Sequence, residues 1–407
     1  MRNAVGAGPP GFRVEPFLER RTRASGRFFE SEAERIARLC HRLAERFASG
    51  GRLLAFGTSP QQRSDVRHVA VEFVHPVIVG KRALPALGLT PDGGPLARQL
   101  DLIAEPGDIA LAFGADPETV AALALARGRG CLTVAFSDVG AEWQFDPGDR
   151  DPFVAQEIVE VTYHVLWELV HVFFEHRGLL TGRDAGSVHD AGGSSFLYPF
   201  LAETEHDLEA VVVDVRASVL AKEREASELR SRTLEENADV LVAAAQAVRR
   251  LLEAGGTLFA FGNGGSATDA MDAVADFRAA PQGTAQGWPS RKAIDLTEDA
   301  AILTALANDI GPEVLFQRQL IAYAHPGDVA LALSTSGNSV NVIAALAEAR
   351  RRDVATVAMV GYDGGRVAAE QLADHVVVTR SEHIPRIQEA QATAYHALRE
   401  LVELGAV

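Results

Sequence analysis

The chain reads as α/β, two units in tandem, each a parallel sheet covered by helices on both faces. Three observations predict this. First, stretches recur in the same order: GGRLLAFG at 50–57 and GGTLFAFG at 255–262, PGDIALAF at 106–113 and PGDVALAL at 326–333, QEIVEVTYH at 156–164 and QEAQATAYH at 388–396. Their offsets, 205 (255 − 50), 220 (326 − 106) and 232 (388 − 156), grow slowly, as duplication with small insertions produces. Second, short apolar runs alternate with helical patterns, which is how a parallel sheet buried on both faces is written. Third, 407 residues suffice for two hydrophobic cores.

Taken in order, a helical pattern runs from about Glu15 to Ser49, with Phe28, Ile36, Leu39 and Leu43 at helical spacing, and Gly50-Gly51 ends it. A strand at Leu53–Phe56 follows, then a helix near Ser64–Val74, strands at Ile109–Phe113 and Leu132–Phe136, and a helix at about Phe153–His176. Residues 178–196 are rich in Gly, Ser and Asp and read as a linker. The expected domains are 1–177 and 205–407, joined by 178–204. The second unit repeats the plan: long helices over about Glu205–Glu253, strands at Leu258–Phe261, Ala293–Asp295, Val329–Leu333, Thr356–Val360 and His375–Val378, and a helix from Arg386 to Leu404.

The formal charge of −16 opposes binding to nucleic acid or to anionic lipid, so an anionic ligand must be held by local geometry. Cys40 and Cys131 form no framework and read as buried reduced thiols. There is no signal-peptide pattern. The apolar stretch 157–174 is interrupted by Glu160, His164, Glu168 and His171, so it is not a membrane span, and a cytoplasmic location is expected.

Two loops in the second unit point to phosphate. Phe261-Gly262-Asn263-Gly264-Gly265-Ser266 follows a strand and opens a helix, where glycines let backbone approach an anion and the helix N-terminus supplies N–H groups. A tight strand–helix turn would look the same. Ser334-Thr335-Ser336-Gly337-Asn338-Ser339 is more specific: four hydroxyls surround one glycine where a cap needs only one. The corresponding first-unit loops are 57–63 (GTSPQQR) and 114–119 (GADPET), where Asp116 and Glu118 would repel a phosphate. The first unit therefore reads as having lost that function.

The stretches FGNGGSATDA, LTEDAAILTALANDIGPEVLFQRQL, PGDVALALSTSGNS and RIQEAQATAYHALRELVE make the second half resemble bacterial phosphoheptose isomerases over about 205–405. Residues 15–177 resemble the same family weakly, so the chain looks like a tandem of sugar isomerase (SIS) domains. The resemblance implies three-layer α/β/α domains, each with a five-stranded parallel sheet. It implies that Asn263, Gly264, Ser266, Ser334, Thr335, Ser336 and Ser339 hold a sugar phosphate and that Asp299 contacts the sugar. It implies aldose–ketose isomerisation through an enediol, with sedoheptulose 7-phosphate as the substrate and no nucleotide cofactor. It also implies a zinc ion held by an H-x-x-x-E pair and a Q-x7-H stretch, and a homo-oligomer, here a homodimer of pseudo-dimers in which the halves pack like two subunits.

Each half departs from that pattern. The first keeps the quartet His68, Glu72, Gln156 and His164, with His68 and Glu72 on one helix face. The second has Asp272 and Asp276 in the H-x-x-x-E positions, beside Gln388 and His396, and Pro385 at a position usually polar. These four read either as an acid-lined pocket or as a second metal site, and the extra carboxylate would suit a harder ion. His396 is the expected acid–base group, with Asp276 or Glu72 as the other. The alternative expectation is a sugar-phosphate sensor or accessory protein without turnover. His171, His176 and His189 show no partner pattern, His383 beside Glu382 is not assigned, and 222–232 reads as a solvated helix face.

Overall fold

The computed structural model describes residues 14–77, 81–175, 179–180, 207–279 and 288–404. His176, His189 and nearly all of the expected linker lie outside them.

The first sheet is built from β1 (Leu53–Phe56), β2 (Ala86–Leu89), β3 (Ile109–Ala112), β4 (Leu132–Ala135) and β5 (Trp143–Gln144), in the order β2-β1-β3-β4-β5. The second is built from β6 (Leu258–Phe261), β7 (Ala293–Asp295), β8 (Val329–Ser334), β9 (Ala355–Gly361) and β10 (His375–Thr379), in the order β7-β6-β8-β9-β10. Every pairing is parallel, and the two orders match strand for strand. The helices are α1 (Val14–Ala48), α2 (Pro60–Val74), α3 (Leu96–Ile103), α4 (Pro117–Gly128), α5 (Pro152–Glu175), α6 (Leu208–Glu236), α7 (Ala238–Glu253), α8 (Gly265–Arg278), α9 (Ala300–Asp309), α10 (Leu315–Tyr323), α11 (Val340–Arg351), α12 (Gly365–Ala369) and α13 (Ile384–Leu404).

The expected strands are present. Two more were not expected from the sequence, β2 and β5. β5 has only two residues, and β2 (ALGL) is a short apolar run interrupted by a glycine and preceded by Pro85, so neither reads as an inner strand. The long helices expected before β6 are α6 and α7, which meet at Asn237, whose side chain bonds Val378 O and N.

In the second sheet, alternate residues face opposite layers. Leu258, Ala260, Leu331, Leu333, Val357 and Met359 pack with α7, α8 and α13. Phe259, Phe261, Ala330, Ala332, Ala358 and Val360 pack with α10, α11 and α12. This is the three-layer α/β/α arrangement. In the first sheet, Leu54, Phe56, Ala110, Ala112 and Ala135 pack with α3 and α4.

The repeated words have one physical cause in each half. Asp108 Oδ1 accepts from Arg52 N at 2.8 Å, and Asp328 Oδ1 accepts from Thr257 N at 2.7 Å, so each PGD turn staples the start of the first strand. A Cβ on Gly51 or Gly256 would fall on the carbonyl oxygen of Gly107 or Gly327, so only glycine lets the PGD turn close.

The described chain divides into two compact units that interleave along the sequence. One takes 1–22, 151–153 and 226–407, and the other takes 23–150 and 154–225. They are called the second-sheet and first-sheet units below. Among the described residues, no helix is long and apolar enough to cross a membrane.

Candidate active site and metal-ligand clusters

In the second-sheet unit both phosphate-type loops leave the C-terminal ends of adjacent strands, β6 and β8, and each opens a helix. Gly264 forms the N-cap of α8 with φ +58 and offers no side chain to the helix N-terminus. Ser339 forms the N-cap of α11 but makes no capping hydrogen bond; its hydroxyl lies 3.3 Å from Ser334 Oγ. Ser334 Oγ accepts from Gly337 N at 3.1 Å and Ser336 Oγ from Asn338 N at 3.2 Å, so these serines brace the loop rather than cap α11. Gly337, at φ +62, lies against the carbonyl of Gly364 and admits no side chain. Asn263 and Asn341 exchange two amide bonds of 2.9 Å and hold the loops together. Ser266 is buried, while Thr335, Ser336 and Ser339 are half-buried and Asn263 and Gly264 are exposed.

The first-sheet unit shows what these loops become when their N–H groups are satisfied internally. Gln62 Oε1 accepts from Thr58 N at 2.9 Å and Ser59 N at 3.0 Å, and Gln62 completes a capping box with Ser59. Asp116 Oδ1 accepts from Glu118 N and Thr119 N, both at 3.1 Å, and Oδ2 accepts from Thr58 Oγ1 at 2.8 Å. Two side-chain oxygens stand where an anion's oxygens would be. Asp116 is held below the usual carboxylate range: burial opposes this, but the bonds from Thr119 and Thr58 outweigh it. Of the two charges noted in the sequence, Asp116 thus closes the loop as a cap, while Glu118 Oε1 accepts from Leu96 N at 2.8 Å.

A buried cluster lies beneath the second-sheet loops. Asp272 and Asp276, one turn apart on α8, meet His396 of α13, whose Nε2 lies 3.5 Å from Asp272 Oδ2 and 3.6 Å from Asp276 Oδ2. Tyr395 donates to Asp272 Oδ2 at 2.8 Å, the Phe153 ring stacks on His396 at 4.4 Å, and Arg399 Nε donates to Asp276 O at 2.9 Å. Gln388 is buried two turns before His396. The ligand atoms of Asp272, Asp276 and His396 lie within 4.8 Å of one another, a spacing that fits one divalent ion held by nitrogen and hard oxygens.

The first-sheet unit carries the counterpart. His68 Nε2 and His164 Nε2 are 3.3 Å apart, and Glu160 completes a group within 4.8 Å. Two nitrogens each about 2.0–2.1 Å from one tetrahedral zinc would lie about 3.3–3.4 Å apart, so the pair fits that ion. The Tyr163 hydroxyl lies 3.1 Å from His68 Nδ1, the same service that Tyr395 performs for Asp272. Glu72 is buried, 3.9 Å from His68 Nε2, but outside the tight group, and Gln156 is half-buried one turn before Glu160. Sequence reasoning missed Glu160. Its spacing of four residues from His164 on one helix face was the available signal.

Asp299 is the N-cap of α9, where Oδ1 accepts from Ala301 N and Ile302 N, and it lines a groove at the end of β7. Thr297 Oγ1, which donates to Asp295 Oδ1 at 2.6 Å, lies 3.4 Å from Ala267 O in the first turn of α8.

Comparison with known proteins agrees with this architecture. Residues 223–361 match the SIS domain. The phosphoheptose isomerase of Nitratidesulfovibrio vulgaris is 39% identical over 190 residues, which cover 47% of this chain and 89% of that protein. The phosphoheptose isomerase of Roseiflexus sp. is 42% identical over 196 residues, 47% of this chain and 91% of that protein. Two solved structures share the fold along nearly the whole chain. One is the C-terminal domain of glucosamine-fructose-6-phosphate aminotransferase from Francisella tularensis (TM-score 0.60, 9% identity, 98% of each chain). The other is tagatose-6-phosphate ketose/aldose isomerase from Escherichia coli (TM-score 0.52, 13% identity, 98% of this chain and 95% of that one). Through its second half the chain belongs to the phosphoheptose isomerase family, and its first half repeats the same sheet order.

Proposed function

We propose that this protein is a sugar-phosphate isomerase whose substrate phosphate is held by Asn263, Gly264, Ser266, Ser334, Thr335, Ser336 and Ser339. Relatives of about 40% identity support an intramolecular oxidoreductase. The single observation that carries the reading is the arrangement on α8. An N-terminus with no side-chain cap stands at one end, and Asp272 and Asp276 stand six and ten residues beyond Ser266. Six residues of helix span about 9 Å and ten about 15 Å. Side chains lean back towards the helix N-terminus, and Asp272 Oδ2 and Asp276 Oδ2 lie 3.5 and 3.6 Å from the same His396 Nε2, so a phosphosugar chain that bridges to Asp272 arrives beside all three groups. The phosphate would sit on donors at the helix N-terminus while the reacting carbons reach Asp276 and His396.

Aldose–ketose isomerisation needs a base for the proton α to the carbonyl and an acid for the carbonyl oxygen. Asp276 and His396 supply that pair. Their burial, and the Phe153 ring over the imidazole, exclude water that would quench an enediol. Tyr395 fixes Asp272, and Asp299 would meet the sugar hydroxyls. A divalent ion held by Asp272, Asp276 and His396, with Gln388 adjacent, would take up the lone pairs of that acid–base pair and would supply Lewis-acid stabilisation of the enediol oxygens in place of the proton from His396 Nε2. Sedoheptulose 7-phosphate is the first substrate to try, because the relatives are phosphoheptose isomerases.

The test is proton NMR with sedoheptulose 7-phosphate in D2O, with metal-free and zinc- or manganese-supplemented protein. Deuterium entering at C1 or C2, or an aldoheptose phosphate, is the expected result, and His396→Asn should abolish both. Binding without exchange under every metal condition would overturn the isomerase reading. It would favour the sensor reading instead, for which the specific observation is Asp276 itself, one methylene shorter than the family's glutamate.

A further inference from the structure

We propose that the groove at the end of β7 binds a small polyhydroxylated amine, a ligand of amino-sugar type. The groove encloses about 530 Å³ and is lined by Ile294, Asp295, Glu298, Asp299, Gln319 and Tyr323, with α9 forming one wall. Among the described residues its lining has three carboxylates, an amide and a phenol, and no cationic side chain. Arg278, 3.9 Å from Glu298, partly balances it.

Asp295 is the second observation. It is 7% exposed, yet it lines the groove, and its Oδ2 has no hydrogen-bond partner among the described residues. Its Oδ1 is engaged by Thr297 N at 2.7 Å and Thr297 Oγ1 at 2.6 Å. Burial pushes its carboxyl above the usual range, against the Thr297 bonds and the charge of Arg278. An acceptor this costly to bury is satisfied by a donor from outside the chain.

The donor is an organic ammonium rather than a metal ion. Among the described residues, no three ligand atoms here lie within 4.8 Å of one another, whereas two other clusters in the chain do so. The groove is also far larger than an ion. Ammonium suits Asp295 and Glu298. Hydroxyl donors suit Asp299 and Gln319, whose Nε2 is already spent on Leu296 O and Leu315 O. The half-exposed Tyr323 ring and Ile294 offer an apolar wall for the ligand body. The groove shares Asp299 with the proposed phosphosugar site, while Asp295 and Glu298 belong to this inference alone.

The experiment titrates glucosamine, N-acetylglucosamine and glucose into the protein at pH 7 by calorimetry or ligand-observed NMR. Glucosamine should bind at least about tenfold more tightly than the two neutral sugars. Asp295→Asn and, separately, the exposed Glu298→Gln should remove that preference, with unfolding curves matching the wild type to show that each variant folds. Equal binding of the three sugars, no binding by any, or a preference that survives both substitutions would overturn the proposal.

Discussion

At the scale of single residues, the same side-chain type does opposite work in the two halves, and partners decide which. Asp116 accepts backbone N–H groups at a helix start and closes a site, whereas Asp276 faces His396 in a buried cluster. If Asp276 and His396 are the acid–base pair, Asp276→Asn and His396→Asn should each lower turnover by roughly 10²–10⁴ while inorganic phosphate still binds. Steady-state kinetics beside a phosphate titration checks this, and phosphate binding lost in parallel would point to a folding role instead. His171 gives a pH prediction within the first-sheet unit. Burial, with help from Lys81, pushes its imidazole down to about 4, although Trp167 O and Arg82 O lie 2.8 and 3.1 Å from its nitrogens. The unfolded chain then binds a proton that the folded chain refuses, so stability is lost as pH falls from 6.5 towards 4. A shift from 6.5 to about 4 corresponds to roughly 3 kcal/mol. His171→Phe should lower stability at pH 7 and flatten that acid slope, as urea unfolding at several pH values would show; an unchanged slope would assign the acid loss to other groups.

At the scale of elements, helix starts separate the two copies. α2 and α4 begin on side-chain caps, whereas α8 and α11 begin with none. Asp116→Ala should cost about 0.5–2 kcal/mol, the ordinary worth of a cap, measured by denaturant unfolding. The counterpart change Ser339→Ala should cost much less stability and should weaken phosphate binding instead. Gly337→Ala should do more harm to that loop, because φ +62 and the Gly364 carbonyl both exclude a methyl group. Phosphate affinity is expected to fall at least about tenfold. How far the elements were legible follows from burial. Inner strands such as Leu53–Phe56 and Leu258–Phe261 are apolar throughout and declare themselves, while β2 and β5 at the sheet edges are half-exposed and carry no such run. The loop hydroxyls were legible for the same local reason. The plug of Gln62 was not, because a capping glutamine looks like any other glutamine until its acceptors are known.

At the scale of the whole molecule, duplication has left two ligand clusters at equivalent places, one nitrogen-rich and one oxygen-rich. Helix spacing put His68 and Glu72 on one face, and the family resemblance added Gln156 and His164 to the set. Neither revealed that Glu160 on α5 lies within 4.8 Å of both imidazoles, whereas Glu72 on α2, 3.9 Å from His68, falls outside that three-residue group, because that choice depends on how two helices approach each other. The chain should therefore bind up to two divalent ions with different preferences: zinc at His68, Glu160 and His164, and a harder ion such as manganese competing better at Asp272, Asp276 and His396. Metal content after dialysis measures this directly. Asp272→Asn with Asp276→Asn should remove one ion and leave zinc bound, while His68→Ala should remove the other. In the double-aspartate background, Glu160→Gln should weaken cobalt or zinc binding by about 10–100-fold and Glu72→Gln by much less, the reverse of what spacing alone suggests. Chelation should also lower the unfolding temperature of the double-aspartate protein, since an ion that binds only the folded state stabilises it by mass action. If that protein holds no ion and is indifferent to chelator, the first-sheet cluster is a packed pair of histidines; if Glu72→Gln strips the ion and Glu160→Gln does not, the spacing was the better guide than the fold.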